Sequence, residues 1–512
     1  CSEAEDTLSA REVDICATKW YDNFGHSHHL QRGKRLMTIR FGTDGWRAVI
    51  SDTFTFANLQ LVSQAIADYV LHTATTPQPE VVVGFDTRFL SDRYAVEVAR
   101  VLAGNNIIAW LTRADAPTPA VSYNVVHRKA AAGVMITASH NAPRYNGVKL
   151  KAPYGGSVSV HQARMVERFL EENQARGRGP NMIDYQVALQ RELIRRFDPS
   201  WAYYEHLSRL VDLDKISAGE LRVVADAMYG AGRGCFREIL ARTRTRLTEI
   251  RCEMNPGFGG IHPEPIARYL QALVAAVQAE HADIGLATDG DADRIGAVDA
   301  SGNFVDPHHI FALAIRYLVE RRGWSGMVVK TVSTTMMVDR LATRYGLPLR
   351  ETPVGFNHIA DLMLSADVLI GGEESGGIGI KGHIPEGDGI LMGLLLLEIV
   401  ADAGVPLHEL VADLQKQVGP TCYARCDMRL PYPVVKSEMI ARLTNAAPAM
   451  MNGQTVVKID TLDGVKYRMA DDSWLLIRPS GTEPVLRVYA EAPDACGVSA
   501  LLETGRKLAG IE

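Results

Sequence analysis

Residues 136–150, ITASHNAPRYNGVKL, set one serine, one histidine and one lysine (Ser139, His140, Lys149) directly behind an apolar run. A hydrolase would present such a serine in a G-x-S-x-G elbow beside a base, and no such elbow surrounds Ser139. A second string, ATDGDADRIG (287–296), carries Asp289, Asp291 and Asp293 at alternate positions after another apolar run. Alternate side chains of an extended loop point the same way, so this spacing predicts three carboxylates converging on one point. Like charges brought together call for a cation, and an all-oxygen set suits Mg²⁺. An EF-hand is excluded, because Arg294 stands at its sixth position and Ala300 at its twelfth. Three ligands leave room for a phosphoryl oxygen. A phosphorylated Ser139, with a charge of roughly −1.5 to −2, would be a phosphate carrier held against that metal and would need no adjacent base.

Two further clusters suit a phosphorylated, hydroxyl-rich ligand. In GGEESGGIGIKG (371–382), Glu373 and Ser375 are short-reach hydrogen-bonding groups of the kind that grip vicinal sugar hydroxyls. The same stretch holds a G-x-G-x-x-G match at Gly377, Gly379 and Gly382, but Lys381, His383 and Pro385 stand where a dinucleotide-binding helix would begin. In RPSGTEPVLRVYAE (478–491), Arg478, Ser480, Gly481, Thr482 and Arg487 fall in one strand-loop-strand segment and make a phosphate cradle from guanidiniums, hydroxyls and loop amides. No G-x-x-x-x-G-K-[ST] loop is present.

These strings need strands and helices to hold them. Apolar runs at 81–86, 131–139, 221–230, 282–291, 326–335 and 367–374 read as strands, alternating with amphipathic stretches such as 56–71 and 390–403, the latter capped by Asp388. Repeated strand-helix alternation predicts α/β layers with functional loops at the carboxyl ends of strands. After about residue 421 short strands dominate, which predicts a smaller α+β domain. Residues 1–36 lack both periodicity and the apolar core of a signal peptide, and are read as a disordered or non-native extension outside the fold.

Composition narrows the class. The chain has 512 residues, 47% of them hydrophobic, enough for three or four domains. A net charge of −6 argues against nucleic acid as partner. The longest apolar run, 389–397, is far short of a bilayer span, so no membrane partner is expected. Cysteines 1, 16, 235, 252, 422, 426 and 496 are scattered and odd in number, which favours free thiols and a reducing cytoplasm.

The four clusters, in this order and preceded by FGTDGWRAVI, resemble the α-D-phosphohexomutase superfamily from Met37 to the C-terminus. The resemblance implies three α/β domains with mixed sheets around a central cleft (37–190, 191–303, 304–421) and a smaller α+β domain (422–512). It implies phosphoserine at Ser139, one Mg²⁺ on Asp289, Asp291, Asp293 and Ser139, and an acid/base role for Lys149 with His140 and Arg47 beside it. Arg294, Lys330, Gly355, Glu373, Ser375, His383, Arg478, Ser480, Gly481, Thr482 and Arg487 would meet a small phosphosugar. Hexose 1-phosphate and 6-phosphate would interconvert through a bisphosphorylated sugar, with glucose 1,6-bisphosphate as activator and the chain a monomer or weak homodimer. GEESG resembles the glucose-directed loop. Two departures stand out: Ala142 intervenes before Pro143 after SHN, and Asn357 stands where many relatives carry lysine. Alternatives are a phosphomannomutase or a glucose 1,6-bisphosphate synthase on the same scaffold. A haloacid-dehalogenase-type phosphotransferase with Asp289 as nucleophile also fits the strand ending in D-x-D.

Overall fold

The computed structural model describes residues 39–42, 45–430, 434–479 and 485–510. Arg40–Glu512 form one compact unit. The extension 1–36 and the cradle residues Ser480, Gly481 and Thr482 lie outside the described residues.

Four sheets organise the chain. The first contains β1 (Trp46–Val49), β2 (Glu80–Phe85), β3 (Ile108–Thr112), β4 (Ala132–Ile136), β5 (Tyr145–Lys151) and β6 (Ile194–Phe197), in the order β1-β5-β4-β2-β3-β6. The second contains β7 (Arg222–Asp226), β8 (Arg246–Ile250), β9 (Ile284–Thr288), β10 (Ile295–Asp299) and β11 (Phe304–Val305), in the order β11-β10-β9-β7-β8. The third contains β12 (Met327–Thr331), β13 (Leu349–Thr352), β14 (Val368–Gly372) and β15 (Ile378–Ile380), in the order β13-β12-β14-β15. The fourth is wholly antiparallel: β16 (Cys422–Arg429), β21 (Val485–Ala492), β20 (Trp474–Pro479), β19 (Val465–Met469), β18 (Gln454–Asp460) and β17 (Met450–Met451) follow one another across it.

The first three sheets repeat one device. A strand parallel to the sheet centre (β4, β9, β14) is followed by its antiparallel neighbour (β5, β10, β15), so a short loop leaves its carboxyl end and folds straight back. Those three loops carry Ser139, the three aspartates and Glu373.

Each strand stops short of its apolar run, and the side chains say why. Asp86 and Asp226 accept from the backbone N–H two residues on, each at 2.9 Å, and Thr137 does the same for Ser139 at 2.8 Å. Such local bonds offer the backbone an alternative to the ladder and turn it. The alternating-loop expectation for the aspartates is corrected in the same way. Asp289 accepts from the N–H groups of Asp293 (3.1 Å) and Arg294 (3.3 Å), and Ala292 has φ +60, so the segment is a tight turn, not an extended strand. The carboxylates converge because the turn wraps them.

Helix Gly389–Ala403, capped by Asp388 through its side-chain bond to the Leu391 N–H, lies inside an apolar core that takes in Ala120 and runs on from Tyr203 to Val418, joining the second and third sheets. Twelve of its residues are buried, so single large-to-small changes there cost about 2–5 kcal/mol. Among the described residues no single helix is long and apolar enough to cross a membrane.

Candidate functional site

Ser139 is almost fully buried and holds φ +50, in the left-handed region that non-glycine residues seldom adopt. The conformation turns its hydroxyl onto the aspartate loop, where Oγ donates to Asp289 Oδ2 at 2.8 Å, while His140 Nδ1 lies 3.3 Å away. The two loops touch backbone to backbone: a Cβ on Gly290 would sit 2.4 Å from the Ser139 carbonyl oxygen, so only glycine fits there.

Asp289, Asp291 and Asp293 each present an oxygen within 4.8 Å of the others. Burial first, then the carboxylates of Asp293 and Asp291, push the Asp289 carboxyl well above its usual range. Burial alone would raise Asp291 too, but Lys149 and a 2.6 Å bond from Thr118 hold it below. Lys149, on β5, reaches Asp291 at 2.8 Å and Asp293 at 2.7 Å, so its ammonium is already the cation these acids share. Asp291 Oδ1 is buried without a hydrogen bond, and Asp293 Oδ1 has only the Arg294 guanidinium at 3.9 Å. Buried carboxylate oxygens left free beside one another fit a hard divalent cation.

Cations ring the other side. His140 is held well below its usual range by burial and then by the guanidiniums of Arg294, Arg47, Arg425 and Arg487. It is therefore a neutral ring amid four positive charges. Arg47, on β1, donates to Asn141 at 2.7 Å. Arg487 (β21) and Arg425 (β16) lie on one face of adjacent strands, as the pairings Asp427↔Arg487 and Arg425↔Tyr489 require. Arg478, beside Arg487 on β20, donates to Asp463 at 2.6 Å.

The third loop stands against the second. Gly376 has φ +96, and a Cβ there would meet the Ile295 carbonyl at 2.6 Å. Glu373 accepts from the Gly355 N–H at 2.9 Å, which unites two residues expected to meet the sugar, and Ser375 stands half-buried in the same loop. The His383 ring is enclosed: Nδ1 shares a 3.0 Å hydrogen bond with His206, and Nε2 lies 3.1 Å from an Asp388 oxygen. Lys330 is buried in β12, bonded to the carbonyls of Thr334 and Thr335 and paired with Asp339. Asn357 is buried, with no partner for its Oδ1.

Sequence reading missed Thr118, which donates to Asp291, and Arg425, whose charge bears on His140; neither stands in a local motif, and long-range folding brings each to the site.

A buried hydroxyl on a tri-carboxylate turn, with a lysine and a ring of guanidiniums beside it, is a site built to handle phosphoryl groups on an α/β scaffold. Comparison with known proteins makes the class specific. Family models described as phosphoglucomutase/phosphomannomutase alpha/beta/alpha domains I, II and III match residues 38–177, 201–302 and 306–418, and the C-terminal domain model of the same family matches 438–504. A phosphoglucomutase/phosphomannomutase of Thermococcus kodakarensis is 30% identical over 473 residues, covering 91% of this chain and 98% of its own. A Bacillus subtilis phosphoglucosamine mutase is 31% identical over 483 residues, with 92% and 99% covered. A solved structure from Thermus thermophilus, described as a candidate phosphomannomutase, superimposes with TM-score 0.80 at 36% identity, covering 93% of this chain and 99% of that one. The chain belongs to the phosphoglucomutase/phosphomannomutase family of the α-D-phosphohexomutase superfamily, enzymes that are intramolecular phosphotransferases.

Proposed function

We propose that this chain interconverts glucose 1-phosphate and glucose 6-phosphate through a phosphoserine at Ser139. The observation that carries the proposal is the 2.8 Å bond from Ser139 Oγ to Asp289, beside the lysine that Asp291 and Asp293 share. Asp289, Asp291, Asp293 and the Ser139 oxygen would hold Mg²⁺, which when bound neutralises the acids and draws negative charge from the transferring group.

In the first half-reaction the phosphoryl group leaves Ser139 Oγ for a sugar hydroxyl oxygen. The P–Oγ bond breaks, the sugar O–P bond forms, and the hydroxyl proton ends on the serine oxygen. Lys149, an ammonium here, is placed to give a proton to the departing serine oxygen and take one back from the sugar hydroxyl, and neutral His140 keeps a hydrogen-bonding nitrogen on Oγ without adding charge. The product is a bisphosphorylated sugar. Turned end for end, it returns its other phosphoryl group to Ser139. Glu373, oriented by the Gly355 N–H, and Ser375 would grip ring hydroxyls, while Arg294, Arg478, Arg487 and the 480–482 loop would hold the phosphate not in transfer.

The glucose preference rests on the likeness of GEESG to glucose-directed loops, and relatives named for glucose, mannose and glucosamine phosphates make it the point to test. With Mg²⁺ and a trace of glucose 1,6-bisphosphate, kcat/KM for glucose 1-phosphate should exceed that for mannose or glucosamine 1-phosphate. A reversed order overturns the preference.

A further inference from the structure

The tripeptide Asp86-Thr87-Arg88, which follows β2, touches none of the groups assigned above to the sugar, yet it is buried throughout and binds both the serine loop and the turn that backs the aspartate loop. Arg88 is enclosed, ion-paired with Asp86 at 3.1 Å. Its guanidinium donates to four backbone carbonyls of the serine loop: Ser139, Asn141 (2.7 Å), Ala142 (3.0 Å) and Tyr145 (3.1 Å). Only arginine offers donors spread widely enough to gather four carbonyls from one point. Asp86 fixes the strand side of the same loop by accepting from Thr137 Oγ1 at 2.7 Å, and Thr137 in turn accepts from the Ser139 N–H.

The other end of the tripeptide reaches the second sheet. Thr87 Oγ1 donates to the Tyr229 carbonyl at 2.7 Å, and the Arg88 guanidinium lies 4.9 Å from the centre of the Phe258 ring. Tyr229 begins the turn that backs the aspartate loop: the Ala231 N–H donates to the Gly290 carbonyl at 3.0 Å, and a Cβ on Gly230 would strike the Asp289 and Gly290 carbonyls.

From this geometry we infer that Asp86, Thr87 and Arg88 are positioning residues that set the distance between Ser139 and the carboxylate turn, and so the rate of phosphoryl transfer rather than sugar affinity. The inference rests on the phosphoserine reading above. Arg88 holds Ser139 in its left-handed conformation from behind, Thr87 holds the support of the aspartates, and adjacent backbone links the two. A misplacement of about 1 Å at a reacting centre lowers a rate about 100-fold.

The test uses the full chain, Mg²⁺ and glucose 1,6-bisphosphate labelled in its phosphoryl groups. Label transfer to Ser139 breaks a sugar O–P bond and forms the serine ester, releasing glucose monophosphate. Arg88→Lys keeps one charge but cannot span four carbonyls; it should lower both kcat and the labelling rate about 100-fold, with KM within threefold of wild type. Thr87→Val removes the hydroxyl at nearly constant shape and should lower both rates about tenfold, while Thr87→Ser, which restores the donor, should return them to within twofold. Rates are referred to folded protein by circular dichroism, and if Arg88→Lys does not fold, the Thr87 pair decides. Labelled wild type with variants labelled and turning over equally fast overturns the inference alone, as does a loss confined to KM. A wild type that takes no label on Ser139 overturns the phosphoserine reading and the inference with it.

Discussion

The two ends of the site are built differently. Where Ser139 meets the aspartates, every contact engages backbone: Gly290 packs against the Ser139 carbonyl, the Arg88 guanidinium spans four carbonyls and the Asp289 carboxylate two amides. Where the fourth sheet meets the rest of the chain, the described residues form a small apolar cluster of Val332, Met336, Trp474, Leu476 and Tyr489. Around it lie charged pairs. Lys466 bonds Glu351 at 3.0 Å, Arg468 pairs with Glu351, Arg425 approaches Glu264 at 3.7 Å, and the Met336 N–H donates to Glu491 at 2.9 Å. Buried polar atoms there go unpaired, among them Tyr423 and Tyr489 Oη, His308 Nε2 and Trp474 Nε1. A mutase must fix the reacting atoms yet release and recapture the far phosphate, and the difference matches those two demands. Backbone contacts admit one geometry, whereas ion pairs and unpaired polar groups can exchange one partner for another.

The largest effect should come from the rigid end. Ser139→Ala should abolish turnover while circular dichroism and the melting temperature stay near wild type; near-normal turnover would break the comparison at its root. Gly290→Ala forces two backbones apart and should cost about 1–3 kcal/mol in urea unfolding and lower kcat at least tenfold, because nothing there can yield. Gly179→Ala, with nothing within 4 Å, should stay within about 0.5 kcal/mol. At the adjustable end, Arg487→Ala should raise KM for hexose phosphate roughly tenfold with kcat little changed, the mark of a lost charge-assisted contact to the phosphate not in transfer.

A further effect is a pH dependence. Burial, then the charge of Lys330, brings the Lys466 ammonium down to about 7, against an ordinary value of 10.5. Between those values the unfolded chain holds the proton that the folded chain has lost, so stability rises with pH across that window and the gain is absent below about 7. Lys466→Met should flatten the rise in melting temperature from pH 7 to 10 relative to wild type. Equal slopes would remove Lys466 from the account.

The sequence displayed the layers and the chemistry-bearing loops because both are local. Asp388 caps its helix as its position before the 390–403 run implies, and Ser139, the aspartates and Glu373 each follow an apolar strand within a few residues. Strand ends were read too long, since Asp and Thr at those ends form turns that hydropathy does not register. The neighbours of His383 and Lys330, His206 with Asp388 for the one and Asp339 for the other, are not legible in the local strings that hold them. Arg88 and Arg425 were invisible because their meaning lies in residues more than 50 and 150 positions away.

The most direct test of the central claim is peptide mass spectrometry after incubation with Mg²⁺ and glucose 1,6-bisphosphate. The account predicts one phosphoryl group on Ser139, stable to acid and hydroxylamine and discharged when glucose 6-phosphate is added. A hydroxylamine-sensitive phosphoryl group on Asp289, or no modification in a protein that turns over, would contradict it.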